Sequence, residues 1–347
     1  CEAADHYDAA VPESSHLNMA DVAREAGVSM ATVSRALRGL PGVSDGTRDR
    51  IRALAETMSY VVSPEASTLS RGSTGRVAIV VPRLDSWFFS TMLAGAQAEL
   101  QDAATDVLVY QVDGAAARER FFSHLPARRK ADAMIAMTLP LDDAQAARLA
   151  DLGMAVVVTG ARIHDYPFVR IDDVEVALQA VRHLVGLGHT RIAMVRTTDP
   201  AADTSFADVD RTAGYHRALA EAGIEPRPDY LVTVPHTLAG GIEAAEQLLS
   251  LHEPPTAVFA YSDELALAIV QTLRRAHLRV PEDVSVVGVD GHPLAALHDI
   301  TTVEQSVEQQ GRLAGRLVLD LLSGAGVREL QLPTQLRVRG TTGPPRD

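Results

Sequence analysis

The chain has 347 residues, 46% of them hydrophobic and 4% aromatic, with a formal net charge of −13. This is the composition of a globular protein long enough for two or three domains. Its acidity excludes a surface that binds polyanions throughout, no apolar run approaches the ~20 residues of a membrane span, and a single cysteine, Cys1, excludes an internal disulfide or a thiolate metal cluster.

The charge is unevenly spread. Residues 1–18 carry four acids and no Lys or Arg, whereas Met19 to Arg76 hold eight Arg against six acids, so the negative charge sits mainly on the remainder. One mildly basic end on an acidic body fits nucleic-acid contact at that end only. The polar, acidic residues 1–17 are expected to form a disordered tail. With one cysteine and no signal-peptide pattern, the protein is expected to be cytoplasmic.

The first elements are two short helices around a tight turn, in NMADVAREAGVSMATVSRALRG (18–39). Val22, Ala23 and Ala26 form an apolar stripe behind a candidate N-cap, Asn18. Gly27 suits the left-handed position that ends a helix. Ser29 can cap a second helix with Val33, Ala36 and Leu37 on its inner face, which leaves Met30, Ala31, Thr32, Ser34, Arg35 and Arg38 outward. Such a pair is a helix-turn-helix, whose second helix enters the DNA major groove. A third helix, with Ile51, Leu54, Ala55 and Met58 on one face and Ser44 as N-cap, closes a small core.

The run DVAREAGVSMATVSRALRG closely resembles the DNA-binding headpiece of the LacI/GalR family of bacterial transcriptional regulators, and the resemblance extends over about residues 18 to 340. It implies that Met30 and Ala31 choose the operator by apolar contact, for instance with a thymine methyl, and that Arg35 reads a guanine through its bidentate fork. Ser29 is a further DNA-contact candidate, and Thr32, Ser34 and Arg38 are suited to phosphates, which position without specifying. The family places a hinge helix next, here within residues 63–75. Leu69 matches its minor-groove wedge and Ala66 a small residue of close approach. Val62, Ser63 and Glu65 depart from the family pattern.

Beyond residue 75, β-branched runs alternate with amphipathic stretches. Strands are predicted at 77–81, 106–110, 133–137, 155–159, 191–195, 230–234, 257–261 and 284–290, and helices at 88–103, 142–151, 174–187, 208–222, 239–251 and 263–276. Alternation of this kind implies parallel sheets covered on both faces. The pattern alone allows one large sheet or two. The resemblance, which extends to periplasmic sugar-binding proteins, implies two Rossmann-like subdomains in an α/β body. The expected domains are a headpiece at 18–62, a hinge at 63–75 and an effector-binding and dimerisation domain at 76–340. In the last, one subdomain is 76–172 plus 303–324 and the other 173–302 plus 325–340, with helix 304–323 returning to the first and strand 330–339 to the second.

Ligands of open α/β sheets bind beyond the carboxyl ends of the strands. Asp85-Ser86-Trp87-Phe88-Phe89 follows the first body strand in a position the family uses for ligand. Trp87 and Phe88 offer faces for a sugar ring. Arg211, in RTAGYHRAL, matches a family arginine that forks onto hydroxyls or a carboxylate. Asp290, ending VSVVGVD, is expected as an acceptor for sugar hydroxyls. Ser262 stands in the family's Ala-Asn-Asp position beside Asp263, Thr159 stands where the family has Asp, and His236 faces the cleft by analogy. The Gly-x-Ser-x-Gly pattern at 42–46 suggests an esterase nucleophile, but a helix precedes Ser44 where that chemistry needs a strand. The pair His183 and His189 matches no strong metal spacing.

The expected protein is therefore not an enzyme and holds no cofactor or metal. It is expected to be a homodimeric repressor that binds double-stranded operator DNA and a small effector, a sugar, with no membrane contact. The rival readings are a solute-binding protein of a sugar transporter and an esterase using Ser44.

Overall fold

A computed structural model describes residues 17–60, 73–139, 143–151, 153–163, 165–197, 206–326 and 329–346. The expected tail and the hinge residues Val62, Ser63, Glu65, Ala66 and Leu69 lie outside the described residues. The chain divides into two compact units, 1–74 and 75–347.

The first unit is three helices: α1 (Met19–Ala26), α2 (Met30–Leu37) and α3 (Asp45–Thr57). Asn18 caps α1 by accepting from Ala20 N at 2.8 Å and Asp21 N at 3.2 Å, and the Asp21 carboxylate accepts in return from Asn18 N at 3.0 Å. This reciprocal box satisfies three otherwise orphaned amides. Gly27 ends α1 at φ +63°, a conformation that penalises any residue with a Cβ. Val22, Ala23, Ala26, Val33, Ala36 and Ile51 form the buried core, with Leu37, Leu54 and Met58 packed at its margin. Ser44 holds the N-cap position of α3, but its hydroxyl pairs with that of Thr47 at 2.9 Å and caps no amide.

The second unit contains two six-stranded sheets. The first lobe begins β1 (Arg76–Val81), α4 (Trp87–Asp102), β2 (Asp106–Gln111), α5 (Gly114–His124), β3 (Ala133–Met137), α6 (Asp143–Asp151), β4 (Ala155–Thr159) and β5 (Phe168–Arg170). The second holds α7 (Asp173–Gly186), β6 (Ile192–Thr197), α8 (Phe206–Glu221), β7 (Leu231–Val234), α9 (Leu238–Leu249), β8 (Ala257–Ala260), α10 (Asp263–Arg275), β9 (Ser285–Asp290), α11 (Pro293–Leu297) and β10 (Thr301–Gln305). The chain then runs through α12 (Val307–Leu322), β11 (Glu329–Gln331) and β12 (Thr334–Arg337). The strand orders are β11-β5-β4-β3-β1-β2 and β12-β10-β9-β8-β6-β7. The described pairings are parallel except β10 with β12.

Helix α12 returns to the first lobe and packs on α4 at close range. A Cβ on Gly311 would collide with the backbone of Met92, and one on Gly95 with the backbone of Glu308. The small residues therefore set the approach of the two helices.

Two boundaries differ from the sequence expectation. β10 lies wholly in the second sheet, so the chain leaves that lobe at Ser306 rather than near Thr302. The expected strand 330–339 is two strands in different sheets: β11 pairs with β5, and β12 with β10. Pro333 lies between them, where its missing N–H cannot serve a ladder. The last crossing is thus at residues 332–333, not near Gly324.

Candidate functional site

The outward face of α2 is built from both sides. Ser29 accepts from Thr32 N at 3.2 Å and shares a hydrogen bond with its hydroxyl at 2.9 Å, which fixes the helix start. Met30 is 55% exposed. Ala31 and Arg35 are also exposed. Arg38 turns back on its own helix, with Nε donating to the carbonyl of Ser34 at 3.3 Å and the guanidinium also bonded to the Ser34 hydroxyl. Ser34 and Arg38 thus hold each other, whereas Met30, Ala31 and Arg35 remain exposed.

In the body, a cavity of about 470 Å³ lies where the carboxyl ends of strands from both sheets meet. Asp85, Phe88, Arg211, His236 and Asp290 line it, as the sequence suggested. Trp87 does not. Its indole packs against the His292 ring, centroids 4.5 Å apart, because the start of α4 turns it towards the second lobe. Ser262 is buried beneath the wall, caps α10 by accepting from Leu265 N, and reaches the cavity only through His236 Nε2 at 2.9 Å. Thr159 is buried and donates to Met92 Sδ at 3.2 Å.

Arg211 is 4% exposed and donates from Nε to Asp173 Oδ1 at 2.8 Å and from Nη1 to the carbonyl of Tyr261 at 2.5 Å. Its guanidinium carbon lies 4.5 Å from the centre of the Tyr261 ring. Burial would weaken its charge, but Asp173, Tyr261 and Asp290 more than reverse this. Sequence reasoning missed Asp173. The adjacent acids at 172 and 173, just before a helix that follows a strand, were the available signal.

Asp290 has φ +121°, unfavourable for a residue with a Cβ. Gln310 donates to Gln305 Oε1 at 3.0 Å, and Gln305 donates to Asp290 Oδ1 at 2.6 Å. Burial pushes the Asp290 carboxyl well above its usual range, against the attraction of Arg211 and with the added repulsion of Asp263. Its Oδ1 accepts from Gln305, as expected of an acceptor at this position. Asp263 behind it is pushed up to about 7 by burial, although Thr302 and the amides of His292 and Gly291 favour its charge. Two nearby buried acids cannot both ionise at their ordinary pKa.

His236 is held down at about 4, by burial first and then by the positive charges of Arg83 and Arg211. Its approach to Glu264, 3.8 Å, is thus not an ion pair at neutral pH. His183 and His189 are engaged elsewhere. His183 Nε2 is bonded to the Thr342 hydroxyl at 2.9 Å, and His189 Nε2 donates to the Gly343 carbonyl at 2.8 Å.

A helix-turn-helix unit and a two-lobed α/β body, whose cleft is lined by charged and apolar side chains, define a DNA-binding regulator with a ligand-binding domain. Residues 18–63 match the family of bacterial regulatory proteins, lacI family, and 181–342 the periplasmic binding protein-like domain. The HTH-type transcriptional repressor CytR of Escherichia coli strain K12 is 32% identical over 93% of this chain and 96% of its own. The structure of the lac repressor dimer bound to operator and the anti-inducer ONPF aligns with TM-score 0.84 at 25% identity, covering 94% of this chain and 99% of that one. The transcriptional regulator CelR–cellobiose complex aligns with TM-score 0.70 at 29% identity over 94% and 99%. The chain belongs to the lacI family of bacterial regulatory proteins. It is a DNA-binding transcriptional repressor with a ligand-binding domain and belongs to a non-enzyme family, so the esterase reading falls. No helix among the described residues is long and apolar enough to cross a membrane.

Proposed function

We propose that this protein represses carbohydrate-utilisation genes as a homodimer and that a sugar in the cleft modulates its operator binding. The observation that carries this reading is the cavity wall. Asp290 and Gln305 present a relayed hydrogen-bonding pair, the hydroxyls of Thr138 and Thr197 are buried without a partner among the described residues, and Phe88 and Phe89 supply apolar faces. Vicinal hydroxyls on a ring with apolar C–H faces match that mixture. The relative solved with cellobiose supports the ligand class.

On the DNA, two copies of α2 would read the half-sites of a pseudo-palindrome. Met30, Ala31 and Arg35 supply the base contacts, and Ser29, Thr32, Ser34 and Arg38 the phosphate contacts. The hinge residues Ala66 and Leu69 would enter the minor groove between them. Coupling follows from linkage: a ligand that prefers one lobe arrangement shifts the operator affinity associated with it. A thermal-shift screen of neutral mono- and disaccharides against the full chain tests the ligand class. A stabilising sugar whose effect disappears in Asp290→Asn is expected, and a sugar that stabilises both proteins equally contradicts the assignment of the cleft.

A further inference from the structure

Three arginines line the cavity among the described residues: Arg83, Arg118 and Arg211. Two are neutralised. Arg83 forks onto Asp85 at 3.0 and 3.1 Å, and Arg211 is paired with Asp173. Arg118 is different. It is 9% exposed, yet it has no hydrogen bond or ion pair with any described residue. Its guanidinium faces the cavity with no counter-charge among the described residues, and its five donors suit a planar, acceptor-rich partner.

The helix that carries it supplies a second, independent feature. α5 starts at Gly114, with φ +74°, and the Asp113 side chain at its N-cap makes no capping hydrogen bond. The first-turn amides are therefore uncapped by a side chain, and both Asp113 and Gly114 line the same cavity. Residues 114 and 118 are about one turn apart on one face. An uncapped helix N-terminus followed one turn later by an unpaired arginine offers donors suited to an anion. Asp113 is exposed, so solvent and salt screen its opposing charge, whereas Arg118 is sheltered.

We propose that the effector carries an anionic group, a phosphate ester or a carboxylate, bound by Arg118 and the N-terminus of α5 while its hydroxyls face Asp290. This rests on the cleft being the effector site. It narrows the ligand to a sugar phosphate or sugar acid, both of which offer the same acceptor oxygens to the guanidinium.

The test is calorimetric titration of the full chain at constant ionic strength with glucose, glucose 6-phosphate, gluconate and inorganic phosphate, repeated with the ribose series. Wild type is compared with Arg118→Gln, Arg118→Lys and Asp290→Asn. An anionic probe is expected to bind about tenfold or more tighter than its neutral parent. Arg118→Gln should remove that preference and leave the neutral sugar within about twofold, while Arg118→Lys retains part of it. Preference for the ester identifies a sugar phosphate, and preference for gluconate a sugar acid. Inorganic phosphate binding as tightly as the ester would show a separate free anion and overturn the proposal of a single charged effector. No gain for any anionic probe, or a gain that survives Arg118→Gln, overturns the anion site. Binding of neutral sugar with no gain for its anions leaves the cleft standing, whereas binding unaffected by Asp290→Asn removes the cleft reading itself.

Discussion

Arg83 donates from Nη1 to the backbone carbonyl of His236 at 2.9 Å, joining the loop after β1 to the loop after β7. One residue belongs to each lobe, and both line the cavity, so this bond spans the cleft. An intramolecular hydrogen bond is worth about 0.5–1.5 kcal/mol net, and the neighbouring exposed pair with Asp85 adds little. Arg83→Ala should therefore loosen the lobes without unfolding them. Amide exchange around His236 is expected to rise by roughly 2–10-fold on that estimate. Unchanged exchange there would show that the bond does not restrain the cleft.

Arg211→Ala is expected to act on stability before it acts on binding. Removing the guanidinium leaves Asp173 buried without its counter-charge, and breaking such a pair costs about 3–5 kcal/mol. Denaturant unfolding of the body should show a loss of that order. A stability close to wild type would mean that the pair is better hydrated than its burial implies. Arg211→Lys, which retains the charge but not the fork, is the better probe of ligand contact.

The buried Asp263 makes a signed contribution to pH dependence. Its pKa is near 3.8 when unfolded and about 7 when folded. The folded state thus binds the proton more tightly, so this group favours folding at low pH, and the contribution is lost as pH rises from about 4 to about 7. The buried imidazole of His236 acts the opposite way. Its depressed pKa, about 4, makes stability rise with pH between about 4 and 6.5. Asp263→Asn retains an oxygen for the His292 amide, which now donates to Oδ2 at 2.8 Å. Relative to wild type, the variant should gain stability as pH rises through that window, measured by chemical denaturation. A pH-independent difference would contradict the raised pKa.

Arg35 is exposed and without a protein partner, so Arg35→Ala should leave the headpiece folded. Loss of a bidentate base contact is expected to cost about 1–3 kcal/mol on the preferred operator and much less on unrelated DNA. Equal losses on both DNAs would make Arg35 a phosphate contact instead.

The headpiece was legible in the sequence almost residue by residue, because caps, turn glycine and apolar stripe are all local signals. Asn18, Gly27 and Ser29 act where the pattern placed them. The body's strands were legible where they are continuous and β-branched, as in β1 and β4. β10 was missed because TTVEQ is short and half polar, and β5 because it spans only Phe168–Arg170. The partition at Pro333 depends on which sheet accepts each half, a long-range choice that no local pattern encodes. Site residues behaved similarly. Arg211 and Asp290 carry motifs and reach the cavity. Trp87 carries one too, but its ring packs on His292 instead, while Arg118 has no motif and enters the site through the fold alone, and Asp173 had only the adjacent acids at 172 and 173 as a signal.

The central claim is that one chain couples an operator to a ligand cleft. The direct measurement is the dissociation constant for a selected operator, determined at fixed salt with and without a saturating ligand identified by the binding screens. Coupling of ~1–3 kcal/mol predicts a change of roughly 5–150-fold, matched by the same factor in ligand affinity when operator is added. Operator affinity that ligand leaves unchanged, or binding that shows no preference for any DNA sequence, would contradict it.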